Sequence, residues 1–477
     1  MPGLTRLTSF IDGAVVQHAG EETVLAKPND REAAFALVEA DSHVVGLAVE
    51  SARKAYKTSR KAALHQRSDW LRNAAAALKS DETRIANIVS EDVGKPIRSA
   101  RVEVKRGIEF LDACAAATFS MGGEVVPVDA APNGAGHFGF TKRVPYGVVG
   151  AITPFNAPVN LLVQKVAPAI AAGNSVVAKP APSGTRTANA LAELFFKAGW
   201  PSGLLNIVSG DRKAATVLAA QCDVVTFTGG TAAGEALAKS AGLKKFVAEL
   251  GSNAANIVMA DADITDAAQK IAAAGFEASG QQCISAQRVL VEAPVHEQFL
   301  TAFVAAASKL RVGEASDPTT DVGPMVHRGA ADRVMKMCRD AIQRGARFAL
   351  EPMQNGCTVS PGILVDVPSA ASLWTDEVFG PVVLVRPFVG IAEALALAND
   401  SPFGLQGAVF TKSLDTAMRF SSDFDVGALW INEASRFRLD LYPFGGMKQS
   451  GIGREGVRYA IEELSQLKFT GIKLPSA

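Results

Sequence analysis

"YGVVGAITPFNAPVNLLVQKVAPAIAAGNSVVAKP", residues 146–180, reads as strand, helix, strand. Two short runs rich in valine and isoleucine, "GVVGAITP" and "NSVVAKP", flank "NLLVQKVAPAIAAG", a longer apolar run suited to a helix. The alternation continues downstream. "SGTRTANALAELFFKAG" is a helix, "LLNIVSG" a strand, "RKAATVLAAQ" a helix and "DVVTFTGG" a strand. Short strands alternating with helices predict a parallel sheet with helices on both faces, an α/β fold. After Glu249 the pattern restarts with "NAANIVMA", a helix from Asp263, "AQRVLVEA" and the helix "VHEQFLTAFVAAASKL". Two α/β layers joined near residue 250 form a cleft there, and ligands of open α/β sheets bind beyond the carboxyl ends of the strands. Upstream, residues 41–117 carry helical spacing throughout.

Residues 124–144, "EVVPVDAAPNGAGHFGFTKRV", depart from this rhythm and alternate like a strand pair around a Pro/Asn/Gly turn. The tail "QLKFTGIKL" is also extended. These pieces are either strands that pair with another subunit or an ordinary surface hairpin, and both readings stay open.

Composition narrows the function. The chain has 477 residues, enough for two or three domains, and 48 basic side chains balance 48 acidic ones. No net field favours nucleic acid or an acidic membrane surface. No apolar run approaches a membrane span, and the start carries no secretory pattern, so the cytoplasm is the expected location. Five scattered cysteines form neither a disulfide framework nor a metal cluster, and no metal is expected.

Cys283 stands apart, because "GQQC" gives it polar neighbours where a structural cysteine sits in an apolar run. "TPFN" offers the amide of Asn156 at one strand end, "VVAKP" offers Lys179 at a second, and "FVAELG" offers Glu249 at a third. Each alone has an ordinary reading as a turn asparagine, snorkelling lysine, surface glutamate or small core cysteine. Their shared position at strand ends favours a site. "VVTFTGGTAAG" supplies a strand–glycine–helix turn at Gly229 and Gly230 that can face a pyrophosphate. "GIGREG", residues 451–456, matches a dinucleotide fingerprint in letters only, since no strand precedes it and too little chain follows.

"TPFN", "VVAKP", "FTGGTAAG", "AELGSN", "GQQC", "DEVFGPV" and "PFGGMKQSGIGREG", in this order and spacing, resemble the aldehyde dehydrogenase superfamily from about residue 10 onward. The resemblance implies a Rossmann-like dinucleotide-binding domain (1–123 and 145–248), an α/β catalytic domain (249–445) and a β oligomerisation arm (124–144 and 464–477). It implies Cys283 as nucleophile, Glu249 as general base, and Asn156 with the Cys283 amide as oxyanion hole. NAD or NADP is held, by the same resemblance, through Thr153, Pro154, Phe155, Lys179, Pro182, Gly210, Gly229, Gly230, Gly234, Leu250, Gly251, Glu377 and Phe379. Glu455 takes part in proton relay, and a homodimer or homotetramer is implied.

The chemistry agrees with these roles. An aldehyde carbon gives up hydride only after a nucleophile has added, and a thiolate does this well; the polar setting of Cys283 is expected to help keep it ionised. The oxyanion needs pre-placed donors, and the resulting thioester needs a carboxylate to activate water. The sequence departs from the family pattern at Pro182, where many members carry a ribose-binding glutamate, at Gly230 in place of serine, and at Ser252 in place of glycine. NADP is therefore expected to be accepted.

The substrate reading rests on "NEASRFRLDLYPFGG". Arg436 and Arg438 precede the "PFGG" that borders the substrate entrance in relatives, Arg106 lines the opposite wall by the same resemblance, and Gln282 precedes the nucleophile. Guanidinium groups hold small anions through paired hydrogen bonds. The expected substrate is a small polar or anionic aldehyde, with Arg438 as anchor unless an acid such as Asp440 claims it. A CoA-acylating dehydrogenase would not need Glu249, and a cysteine hydrolase normally relies on histidine, whereas the six histidines lie near none of these motifs.

Overall fold

A computed structural model of the chain describes residues 4–28 and 33–475; the ends of the expected N- and C-terminal segments lie outside these. Val148–Thr153, Ser175–Pro180, Leu205–Ile207, Val224–Thr228 and Lys245–Glu249 run parallel in one sheet. From edge to edge its order is 451–452, 245–249, 224–228, 148–153, 175–180, 205–207, 9–11 and 14–16. The chain winds outward in one direction from Val148–Thr153 and then returns to its other side with Val224–Thr228. The switch point of this doubly wound sheet therefore lies between these two strands, where a crevice opens at their carboxyl ends.

Helix Asn160–Ala172 is buried along its whole length. This accounts for its nearly unbroken apolar sequence, because it lies between the sheet and helices Leu64–Ser80 and Ile97–Ala117. Leu71, Leu78, Val104 and Leu111 pack against Leu162, Val166 and Ile170. On the other face, helix Ser42–Ser59 covers the strands; Asp41 caps it by accepting from the Val44 amide at 2.9 Å.

A second, seven-stranded sheet runs in the order 347–350, 362–365, 382–388, 288–292, 255–258, 406–410 and 428–431, parallel except at its first pair. Helices Ile264–Phe276 and His296–Ser308 cover one of its faces. The chain then returns to the first sheet. Gly451–Ile452 pairs antiparallel with Ala248 and Glu249, and helix Val457–Glu463 packs on Asn160–Ala172. Residues 446–463 had no place in the sequence-based division, and they join the two halves.

The segment 124–144 contributes the short strand Val125–Val126, two 3-10 turns and most of the strand His137–Pro145. Ser465–Lys473 pairs antiparallel along that whole strand. The resulting three-stranded sheet exposes Val125, Phe138, Leu467, Phe469 and Ile472.

Candidate active site

Two cavities meet the expected residues. The first lies at the switch point, has a volume of about 380 Å³, and is lined by Thr153, Pro154, Lys179, Pro182, Gly229 and Gly230. Gly229 has no room for a side chain, since a Cβ would stand 2.5 Å from the Phe227 ring, whereas a Cβ at Gly230 would meet open space. Helix Thr231–Ala241 opens directly after this turn. Lys179 is buried, donates to the Asp211 carbonyl at 3.2 Å, and is pulled down to about 8 by burial, with Asp211 and Glu39 opposing. Gly210 precedes the lining residues Asp211 and Arg212 and adopts φ +129 against the Glu39 carboxyl group.

The remaining cofactor candidates link this cavity to Cys283. Leu250 lies against Gly234, Gly251 lies against Thr231 and Glu377, and Phe155 meets Phe379 edge-on at 5.9 Å. Glu377 accepts from the Ser252 amide at 3.1 Å and is pushed up to about 7 by burial, which Ser252 and Arg333 oppose. The hydroxyl oxygens of Thr228, Thr231 and Ser252 are buried without partners. A chamber of this size at a switch point, with a buried lysine and orphaned hydroxyls, fits a dinucleotide.

The second cavity is narrow, about 70 Å³, and holds Cys283, Asn156 and Gln282 together with Arg106, Arg436 and Arg438. No histidine lines it. Asn156 donates to the Gln281 carbonyl at 2.9 Å, which fixes its side chain beside the Cys283 loop, and among the described residues its Oδ1 has no partner. That loop follows a turn in which Ala278, Ser279 and Gly280 all have positive φ. The thiol differs from the sequence reading. Burial pushes Cys283 up to about 12, the carboxylates of Glu377, Glu249 and Glu455 add to this, and Arg438 opposes it. These surroundings disfavour the ionised form that its polar neighbours in sequence were expected to support.

Glu249 is buried, and among the described residues neither of its carboxylate oxygens has a hydrogen-bond partner. Burial and the charge of Glu455 hold it well above the usual carboxylate range. Glu455 is tied down instead: Lys165 donates to it at 3.0 Å and Arg438 at 3.0 Å, and these cations outweigh burial to keep it below the usual range. Two nearby acids thus have opposite protonation tendencies.

The arginines differ in how fully the protein claims them. Arg438 donates to Glu455 and, at 3.1 Å, to Gln164, approaches Asp440 at 3.6 Å, and lies 3.6 Å over the Phe444 ring. Arg106 donates to both oxygens of Asp440 at 3.1 Å. Among the described residues Arg436 has one ion pair, with Glu277 at 3.5 Å, and its Nε, like that of Arg438, is buried without a hydrogen-bond partner. Sequence reasoning missed Lys95, Glu103, Asn160 and Glu277, which also line the cavity. Glu277 stood within reach of it, six residues before the nucleophile, but helical spacing hid which way it faces.

The Aldehyde dehydrogenase family model matches residues 15–470. The chain is 39% identical to a 3-sulfolactaldehyde dehydrogenase of Priestia aryabhattai, covering 99% of this chain and 100% of that one. It is 38% identical to a sulfoacetaldehyde dehydrogenase of Neptuniibacter caesariensis, over 86% and 91% of the two chains. Among solved structures it resembles the NADP-dependent glyceraldehyde-3-phosphate dehydrogenase of Bacillus halodurans complexed with NADP, with a TM-score of 0.95 and 31% identity over 98% and 100% of the chains.

Proposed function

The chain belongs to the aldehyde dehydrogenase family and is an NAD(P)-dependent enzyme of it, and we propose that it oxidises a short anionic aldehyde, with Cys283 as nucleophile, Glu249 as base and Arg436 as principal anchor. The convergence of three arginines on the Cys283 cavity carries this reading. Relatives named for sulfonated aldehydes support it.

With ionisation of the thiol disfavoured, its proton leaves as sulfur adds to the carbonyl, and Glu249 is the unpartnered carboxylate whose charge reaches it. The alkoxide of the thiohemiacetal is stabilised by the Asn156 amide and the Cys283 N–H; losing one such donor typically costs about 3 kcal/mol. Bound NAD(P)+ supplies hydride acceptance. The thioester left on Cys283 is then cleaved by water that Glu249 deprotonates, releasing acid and thiol. Lys179 and Glu377 would hold the ribose hydroxyls of the cofactor, and Glu455, whose charge acts on Glu249, is the neighbouring carboxylate through which a proton on Glu249 would leave.

Arg436 is favoured over Arg438 because its guanidinium is the least neutralised of the three. Arg436→Ala should raise KM for anionic aldehydes about tenfold or more over neutral ones of equal length. Arg438→Ala should lower kcat/KM for both alike, because it leaves Glu455 short of a partner. The reverse pattern would return the anchor to Arg438. The reading extends to a second copy of the chain, docked on the exposed apolar strands of the 125–145 and 465–473 sheet.

A further inference from the structure

The Cys283 cavity contains more than cations. Glu277 lines it, with its carboxylate 3.5 Å from the Arg436 guanidinium and no hydrogen bond of its own among the described residues. Asn160 lines it too, and its Oδ1 is buried without a partner, as is that of Asn156. Opposite them, the Nε of Arg436 is a buried donor with nothing to bind. The cavity thus offers a carboxylate, two unpartnered amide oxygens and an unmet cationic donor.

A substrate bearing only a negative charge satisfies half of this. It binds Arg436 but faces the like charge of Glu277 and leaves the buried Asn160 oxygen unpaired, which costs affinity. A substrate end with a cation next to its anion satisfies both halves. In an α-amino carboxylate the ammonium and carboxylate stand on one carbon, a separation that suits an Arg–Glu pair 3.5 Å apart. The carboxylate would meet Arg436, and the ammonium would meet Glu277 and the Asn160 oxygen. The narrow volume limits the chain between that end and the aldehyde to a few carbons.

We propose that Arg436 and Glu277 together read the α-amino acid end of a short aldehyde, so that the preferred substrate is zwitterionic and not simply anionic. This rests on the reading of the Cys283 cavity as the site of aldehyde oxidation. The reaction is unchanged: aldehyde, water and NAD(P)+ give carboxylate and NAD(P)H with release of protons, and the amine takes no part.

The test compares three aldehydes of equal length on the full-length enzyme with cofactor: 4-oxobutanoate, its 2-amino derivative and its 2-hydroxy derivative. The 2-amino compound should show kcat/KM about ten- to a hundredfold above 4-oxobutanoate, the hydroxy compound falling between. Glu277→Gln should collapse the amino-to-unsubstituted ratio toward one, with circular dichroism and a melting curve to establish folding. Glu277→Asp, which keeps the charge, should retain part of it. If 4-oxobutanoate is used as well as the amino compound, or if the hydroxy compound equals the amino one, the proposal is overturned while the anionic-aldehyde reading stands. Turnover of none of the three would instead remove the underlying reading.

Discussion

Both carboxylate oxygens of Glu249 are buried and unpartnered, and this single residue sets the expected pH behaviour. A base works only when ionised. Its pKa is raised by burial and by the charge of Glu455, so the acidic limb of the kcat–pH profile should lie well above the ordinary carboxylate range. Removing a neighbouring negative charge lowers that pKa, so Glu455→Gln should shift the limb to lower pH. Arg438 lowers the pKa of Glu249 in the intact protein, and Arg438→Ala should shift the limb the other way. Profiles of both variants shifting in the same direction would contradict the coupling. In rapid-mixing experiments, Cys283→Ala should give no reduced cofactor. Glu249→Gln should still give close to one equivalent per site, more slowly, followed by a stall as acyl-enzyme accumulates. A variant with no burst at all would confine Glu249 to thiol activation.

Strands and helices were the most legible elements, because their apolar periods were long and unmixed. "NLLVQKVAPAIAAG" reads as a helix and is one, yet nothing in its pattern marks what Gln164 and Lys165 inside it meet. Their partners, Asp440, Arg438 and Glu455, lie more than 270 residues away, and no local pattern encodes such a meeting. The turn before Cys283 was illegible for another reason. Ala278 and Ser279 adopt φ 51 and 57, a region that glycine normally marks, so the reorientation after Phe276 carries no sequence signal. The segment 124–144 and the tail "QLKFTGIKL" were read as extended pieces, with their role left open. Phe469 is half exposed on the strand that pairs with His137–Pro145. If this sheet docks a second copy, Phe469→Asp should shift the mass measured by light scattering toward the monomer without unfolding the chain. An unchanged mass that already corresponds to one chain would make the sheet a surface hairpin.

At the scale of the molecule, two α/β layers and the cleft between them followed from the alternation of short strands and helices. The order of the strands did not, nor did the use of "GIGREG", whose glycines serve an edge strand and the bend that delivers Glu455 to the site. The cofactor cavity shows what the departures in sequence mean physically. Pro182 stands on its wall with Lys179, where a carboxylate would accept ribose hydroxyls and repel a 2′-phosphate. Pro182→Glu should therefore lower the NADP/NAD ratio of kcat/KM about tenfold or more, with dissociation constants from fluorescence quenching following the same order. An unchanged ratio would place cofactor choice elsewhere, with Arg212 on the same wall the next residue to replace. The return of residues 451–455 to the edge of Glu249's own strand bears also on how the enzyme comes into being. During synthesis Cys283, the Gly229–Gly230 turn and Glu249 all leave the ribosome before the segment that supplies Glu455, the partner of Lys165 and Arg438. Until that segment arrives, Lys165 and Arg438 have no Glu455 to pair with and Glu249 lacks its edge neighbour. An interrupted translation product should consequently be inert, and a fragment ending near Gly446 should not bind and oxidise aldehydes at a reduced rate but fail to do so at all.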